Sequence, residues 1–256
     1  NAVIGYSEIM LEDAEIDGRG EQIADLQKIS AAGKHLLSMV NDILDISKIE
    51  AGKMDLYLER MSLDRFVDEI EFTGRPMVVK NTNAFVIERG KNLGTIDADA
   101  TKLRQAVLNL LSNAAKFTQN GKVTLTVDRI DRDGKDWVEI KVADTGVGIS
   151  KEQQQKLFSN FQQANAAIAA KFGGTGLGLS LSQNLCKLMK GEISVESEPG
   201  QGACFTIHLP AVQMSANVLE RRSERGKTVI KPAIAPEQVK ANAPASDMED
   251  DDMTAE

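Results

Sequence analysis

The chain has 256 residues, of which 42% are hydrophobic and 27% charged, with a formal net charge of -8; this allows a real core in one large domain or two modest ones. Its Lys and Arg residues are scattered, which excludes a nucleic-acid surface, since phosphate-backbone binding needs concentrated positive charge. No apolar run approaches the ~20 residues of a membrane-spanning helix and no charged-then-apolar leader opens the chain, so this segment is expected to be cytoplasmic and free of membrane contact, although a parent protein could be anchored elsewhere.

Residues 1 to about 60 are helical in pattern, interrupted at Asp17-Gly18-Arg19-Gly20. Beyond the interruption, apolar residues recur every seven positions. Leu26, Gly33 and Val40 form one seam and Ile29, Leu36 and Ile43 the other, with Leu37 and Leu44 widening the stripe. That width suits a helical bundle better than a two-stranded coiled coil. The leading segment, 2–14, reads as the tail of a preceding helix. So short a hairpin cannot bury its stripe alone, and dimerisation is the expected outlet.

From about residue 54 to 211, helix and strand alternate. A helix begins at 63–70, a strand follows at 84–88, and a long amphipathic helix spans 100–117. The alternating runs 123–127 and 137–142 flank Asp131-Arg132-Asp133-Gly134-Lys135 and form a β-hairpin. A helix over 179–189 ends before Gly191, placed as a C-cap glycine. A second hairpin pairs 192–197 with 204–209 through Pro199-Gly200-Gln201-Gly202. Paired strands with helices between them predict an α/β sandwich, one mixed sheet with helices on one face. Cys186 and Cys204 sit inside apolar patterns and read as reduced core thiols. From about 212 aromatics vanish, and the end runs Asp247-Met248-Glu249-Asp250-Asp251-Asp252. This composition predicts a disordered tail or linker over 212–256.

Three elements carry chemistry. Asp144-Thr145-Gly146-Val147-Gly148-Ile149 directly follows a strand, and Gly173-Gly174-Thr175-Gly176-Leu177-Gly178-Leu179 opens a helix. Glycines let backbone approach phosphates, and helix N-terminal amides favour anions; taken alone, the second element also fits a plain tight turn. It is neither a Walker loop nor a dinucleotide fingerprint. The third element runs from Asn109 to Thr118. Asn109, Asn113 and Lys116 stand at i, i+4 and i+7 and share one helical face. Two amides and an ammonium there offer oxygen ligands for Mg²⁺ and a cation for phosphate; alone, they also fit a solvated polar face.

Together and in this order, Asn109-x₃-Asn113-Ala114-x-Lys116-Phe117-Thr118, Asp144-x-Gly146-x-Gly148 and Gly174-Thr175-Gly176-Leu177-Gly178-Leu179 resemble the N, G1 and G2 boxes of sensor histidine kinases. Leu157-Phe158-Ser159-Asn160-Phe161-Gln162-Gln163 resembles the intervening F box. The stretch from Asp42 to Gly52 is similar to the close of the family's second dimerisation helix. The resemblance covers about residues 1–211. It implies an α+β chain: a helical-hairpin dimerisation segment (1–53), then an α/β sandwich ATP-binding domain of the Bergerat type (54–211), then the tail. ATP and Mg²⁺ would be bound. Asp144 would accept a hydrogen bond from the adenine amino group, Gly146 and Gly148 would shape its pocket, and Phe117 would pack on the base. Asn113 would hold Mg²⁺ with Asn109 nearby, and Lys116 would reach a phosphate. Lys171, Gly174, Thr175, Gly176, Leu177 and Gly178 would belong to the lid and phosphate loop, the lid spanning about 162–174. A homodimer through the N-terminal helices and a response-regulator receiver domain are the implied partners.

Two departures from the family pattern stand out. The acceptor box, His-Glu-x-Arg-Thr-Pro-Leu followed by Asn, is represented by its last residue, Asn1, so the acceptor His is expected upstream. His35, on the second helix ahead of its closing stretch, and His208, in a terminal strand, do not replace it. The lid sequence from Ala164 to Phe172 carries Lys171 as its one cation, where relatives often have Ser/Thr and Arg. Two other functions compete with the kinase: an ATPase of the same superfamily, and a dimerising scaffold with a decayed nucleotide site. ATPases of this kind carry a Glu as general base where this chain has Asn109.

Overall fold

The computed structural model describes residues 2–158 and 176–212. Helix α1 (Ala2–Ile16) and helix α2 (Gly20–Glu50) form a hairpin turning at Gly18, whose φ of 68° suits a residue without a Cβ. The helices meet at Gly33, where a Cβ would lie 2.9 Å from Ile4 Cγ1. Of the seven-residue repeat, Leu26 is buried, whereas Ile29, Leu36, Val40, Ile43 and Leu44 are exposed. No described helix is long and apolar enough to cross a membrane.

After the hairpin come β1 (Glu59–Ser62), α3 (Leu63–Val79), β2 (Ala84–Arg89), β3 (Thr95–Ala98), α4 (Ala100–Phe117), β4 (Lys122–Arg132) and β5 (Lys135–Asp144). The described chain continues through the short α5 (Lys151–Gln154), α6 (Gly178–Leu188), β6 (Glu192–Ser197) and β7 (Ala203–Pro210). A five-stranded mixed sheet has the order β2-β4-β5-β7-β6. Its one parallel pair, β2 with β4, needs a crossover, and α4 supplies it.

Strand alternation decides which face is buried. Val138, Ile140 and Val142 of β5 are fully buried, while Trp137, Glu139 and Lys141 on the other face are only half-buried. Phe205, Ile207 and Leu209 of β7 continue the inner face. Against it α4 lays Leu103, Ala106, Val107, Leu110, Leu111, Ala114 and Ala115, the i, i+3, i+4, i+7 stripe of an amphipathic helix. Asp99 caps α4, its Oδ1 accepting from the Lys102 N–H at 3.0 Å. The expected α/β sandwich behind a helical N-terminal segment is therefore present; the tail expectation lies outside the described residues, apart from its first residue, Val212.

Two local features differ from expectation. A second sheet, β1 against β3, has four-residue strands too short for periodicity to announce. It is held by Arg60, whose Nε donates to Asp97 Oδ1 at 2.8 Å and whose second guanidinium nitrogen donates to Oδ2 at 3.2 Å, with Asp97 fully buried. The other difference is the end of α6. Lys190, not Gly191, takes the left-handed conformation (φ 59°). The Lys190 N–H donates to Lys187 O at 2.9 Å and the Gly191 N–H to Cys186 O at 2.8 Å, which makes a Schellman motif with lysine in the glycine position. Gly191 serves a different need: a Cβ there would lie 2.3 Å from His208 O and 2.4 Å from Leu209 Cδ2.

Opposite effects are expected from neighbouring substitutions. Lys190→Gly relieves a left-handed residue and should raise stability by up to about 1 kcal/mol. Gly191→Ala forces α6 away from β7 and should cost about 1–3 kcal/mol. Urea denaturation of the two variants checks both signs.

Candidate functional site

Asp144 is the last residue of β5, and the loop after it is closed down on three sides. Asp144 Oδ1 accepts the Gly146 N–H at 2.8 Å and the Thr118 hydroxyl at 3.3 Å. The Val147 N–H donates to Phe117 O at 3.3 Å, fixing the loop to the end of α4, and the Gly200 N–H donates to Val147 O at 2.8 Å, fixing it to the β6–β7 turn. The Ile149 N–H reaches Ser197 Oγ at 2.8 Å, and Gln154 Nε2 donates to both Ile149 O and Ser197 O at 2.8 Å. Ser150 then opens α5 with a capping box to Gln153.

Two of the loop glycines are required by space. A Cβ at Gly146 would lie 2.3 Å from Phe117 O and 2.8 Å from Asp144 Oδ1. At Gly148, where φ is 67°, it would lie 1.9 Å from Glu198 O. Burial pushes the Asp144 carboxyl above the usual carboxylate range, and hydrogen bonds from Gly146, Thr118 and Ala203 oppose the shift.

Asn109, Asn113 and Lys116 lie half-buried along α4, and Phe117 is its final residue. Burial lowers the pKa of the Lys116 ammonium, which stands 5.0 Å from the centre of the Phe117 ring. At the start of α6, Gly176 has a φ of 68° and Leu177 is buried. Gly178 packs on Asn109 so closely that a Cβ would lie 2.4 Å from Asn109 Oδ1. Asn109 Nδ2 donates to Ser182 Oγ at 2.8 Å.

Helix α4 thus joins two groups of residues. Asp144, Gly146 and Thr118 meet at its C-terminus, and Gly178, Asn109 and Ser182 meet two turns earlier. Lys171, Gly174, Thr175 and the F-box positions from Ser159 onward lie outside the described residues. For a cation such as Mg²⁺, the donor set fits: the side-chain oxygens of Asn109 and Asn113 are hard, neutral and one turn apart. Among the described residues, no group of three His, Cys, Asp or Glu could hold a metal ion.

Sequence reasoning did not assign Thr118, Ser182, Ser197 or Gln154 to the site. Thr118 was visible within the motif, but its link to Asp144 spans 26 residues; the bond from Asn109 to Ser182 spans 73. Burial pushes the Cys186 thiol up to about 12, as an inert core thiol requires. Cys204 is only half-buried, not a core residue. His208, also half-buried, faces Glu139 Oε2 at 3.0 Å.

Residues 98–213 match the family described as histidine kinase-, DNA gyrase B-, and HSP90-like ATPase. The chain is 39% identical over 211 residues to the circadian input-output histidine kinase CikA of Synechococcus elongatus, covering 81% of this chain and 28% of that protein. It is 34% identical over 214 residues to the signal transduction histidine-protein kinase BarA of Escherichia coli, covering 82% of this chain and 23% of that one. The solved structure of full-length ShkA in complex with AMPPNP is similar with a TM-score of 0.65 at 32% identity, over 77% of this chain and 40% of that one. The chain spans roughly a quarter of the length of these two curated relatives. Motif order, fold and these likenesses agree: the chain carries an ATP-binding catalytic domain of the sensor histidine kinase type.

Proposed function

We propose that the chain is the catalytic region of a protein histidine kinase, which binds Mg-ATP beside α4 and phosphorylates a histidine of its parent protein for onward transfer to a response-regulator aspartate. The observation that carries this reading is Asp144. A carboxylate taken out of water costs stability unless it is paired, yet this one is held by neutral donors, the Gly146 amide, the Thr118 hydroxyl and the Ala203 amide. Such a group suits a ligand that brings its own donor, here the adenine amino group, and perturbed carboxyls of this kind concentrate at functional sites.

The remaining roles follow the layout of α4. Phe117, with Gly146 and Gly148, bounds the base. Lys116 meets a phosphate. Asn113 and Asn109 supply oxygen ligands, and Gly176, Leu177 and Gly178, with Lys171, Gly174 and Thr175 before them, enclose the phosphates. Mg²⁺ would neutralise phosphate charge. Residues 54–211 would form this domain and residues 1–53 the dimerisation segment. The exposed Ile29, Leu36, Val40, Ile43 and Leu44 of α2 would be covered by a second copy. Neither histidine in the chain suits the acceptor role, since His35 lies on α2, outside any stretch that resembles the acceptor box, and His208 is engaged by Glu139.

Hydrolysis is the less favoured reading. The position of a water-activating carboxylate is Asn109, whose amide nitrogen is already given to Ser182; an amide cannot take the proton. An imidazole acceptor needs no such base, because its neutral form is already nucleophilic. The reaction then rests on positioning and electrostatics.

Three outcomes follow. Asp144→Asn should weaken ATP binding by about 10- to 100-fold in calorimetry, as loss of a charged hydrogen bond implies; unchanged affinity sinks the adenine assignment. The pH dependence has two signs. Because the folded pKa of Asp144 is raised, its contribution to stability is fully present below the unfolded pKa and lost as pH rises through the folded one. The uncharged variant should therefore melt no lower than the parent at neutral pH. ATP affinity runs the other way, declining as acidification protonates Asp144, and it should do so at a higher pH than for an ordinary carboxylate. Finally, incubation with γ-labelled ATP, Mg²⁺ and a separately made acceptor helix pair from a relative should label that partner as acid-labile, alkali-stable phosphohistidine. Free phosphate without labelled protein would instead favour the ATPase.

A further inference from the structure

The relation between α6 and α4 turns on one hydroxyl. Ser182, in the second turn of α6, is 1% exposed. Its Oγ donates to Gly178 O, four residues back, at 2.9 Å. A carbonyl can only accept, so the single hydroxyl proton of Ser182 is committed there. Toward Asn109 the same oxygen has only lone pairs, and Asn109 must present its NH₂, as it does at 2.8 Å.

The two ends of an asparagine amide have nearly the same shape, so hydrogen-bond partners decide which is which. Turning Asn109 over would set its carbonyl oxygen against the lone pairs of Ser182 and leave a buried bond unmade, at the cost attached to an unsatisfied buried polar group. The bond therefore turns Asn109 Oδ1 away from Ser182. Oδ1 accepts from no described donor, and it lies against Gly178, whose lack of a Cβ makes that approach possible. Ser180 offers a comparison within the same helix. It is equally buried and its Oγ donates to Leu177 O at 2.8 Å, but it has no bond to Asn109.

We propose that Ser182 is a positioning residue: through Asn109 Nδ2 it holds the Asn109 carbonyl oxygen toward the phosphate and divalent-cation region. The inference rests on the nucleotide reading given above. It assigns Ser182 no contact with ATP, and it predicts an effect specific to the metal-dependent part of binding, because an oxygen ligand is what a turned amide would remove.

The test is calorimetric titration of the full chain with ATP, once in EDTA and once in excess Mg²⁺, with a thermal melt of every variant. The readout is the ratio of the two affinities. Ser182→Ala should reduce the Mg²⁺ enhancement by roughly 10-fold, the lower end of what loss of a partner behind a metal ligand costs, while affinity in EDTA stays within about 2-fold of the parent. Ser180→Ala should leave the ratio unchanged. Ser182→Cys, close in size and a weak acceptor, should fall between, and it decides the matter if the alanine variant fails to fold. An unaltered ratio in folded Ser182→Ala overturns the proposal, as does an equal loss in EDTA and Mg²⁺ or the same effect from Ser180→Ala. A parent chain that binds ATP with no Mg²⁺ enhancement overturns this proposal alone. A parent chain that binds no ATP overturns the nucleotide reading and this proposal with it.

Discussion

Much of this domain depends on backbone approaching backbone more closely than a side chain would permit. A Cβ would lie 1.9 Å from Glu198 O at Gly148, 1.9 Å from Asp144 O at Gly202, and 2.3 Å from Phe117 O at Gly146. These contacts draw the end of β5, the end of α4 and the β6–β7 turn into one knot. With the three segments so close, their amides and carbonyls satisfy one another, as the bonds from Val147 to Phe117 and from Gly200 to Val147 show. Asp144 is half-buried because the knot closes around it. The raised pKa is thus a consequence of backbone packing and not of a neighbouring charge.

Helix α4 transmits that constraint through the domain. Its apolar stripe is fixed on the sheet, so its polar face has no freedom to rotate, and Asn109, Asn113, Lys116 and Phe117 keep fixed heights along it. The start of α6 is held from both sides. Gly178 and Ser182 meet α4, while Leu177, Leu181 and Leu185 share a small core with Ile46, Ile49 and Met54. Apolar burial does most of that second job. The charged contacts beside it, Lys102 Nζ to Asp45 at 3.7 Å and Gln105 Nε2 to Asp45 at 3.4 Å, are long, and polar pairs of this kind contribute at most about 1 kcal/mol each. The turn that carries Leu177 and Gly178 is therefore packed on the C-terminal part of α2, so movement of that helix and movement of the turn are physically coupled.

What the sequence revealed follows from what periodicity can encode. Helix α4 was legible to the residue, because eighteen residues carry one continuous apolar stripe. Both hairpins were legible from alternation and turn glycines. The β1–β3 sheet was not, since four residues hold no measurable period and the bond from exposed Arg60 to buried Asp97 joins positions 37 apart. Gly191 was noticed for a sound reason and given the wrong one. A glycine after a helix suggests a left-handed backbone, but the need here was contact with β7, and only the neighbouring strand could reveal it. In the site, motif residues were legible by type and spacing. Thr118 and Ser182 act through bonds to Asp144 and Asn109, which exist only once the sheet and α6 have brought distant segments together.

On the proposed nucleotide reading, the adenine-binding carboxyl of Asp144 would sit in an arrangement that does not favour folding. A cation beside Asp144 would lower its pKa and stabilise the native state, but it would also occupy the acceptor that a ligand's amino group needs and admit a wider range of ligands. Neutral donors hold the carboxyl in place without competing for it. The same reasoning applies to Asn109, where a carboxylate would bind a cation more strongly than an amide but could also activate water. On the proposed nucleotide reading, a neutral amide bonded to the buried Ser182 hydroxyl would keep an oxygen near the phosphates without supplying a base. At both positions, on that reading, the side chain with the smaller electrostatic gain would be the one that restricts chemistry to a single ligand and a single acceptor.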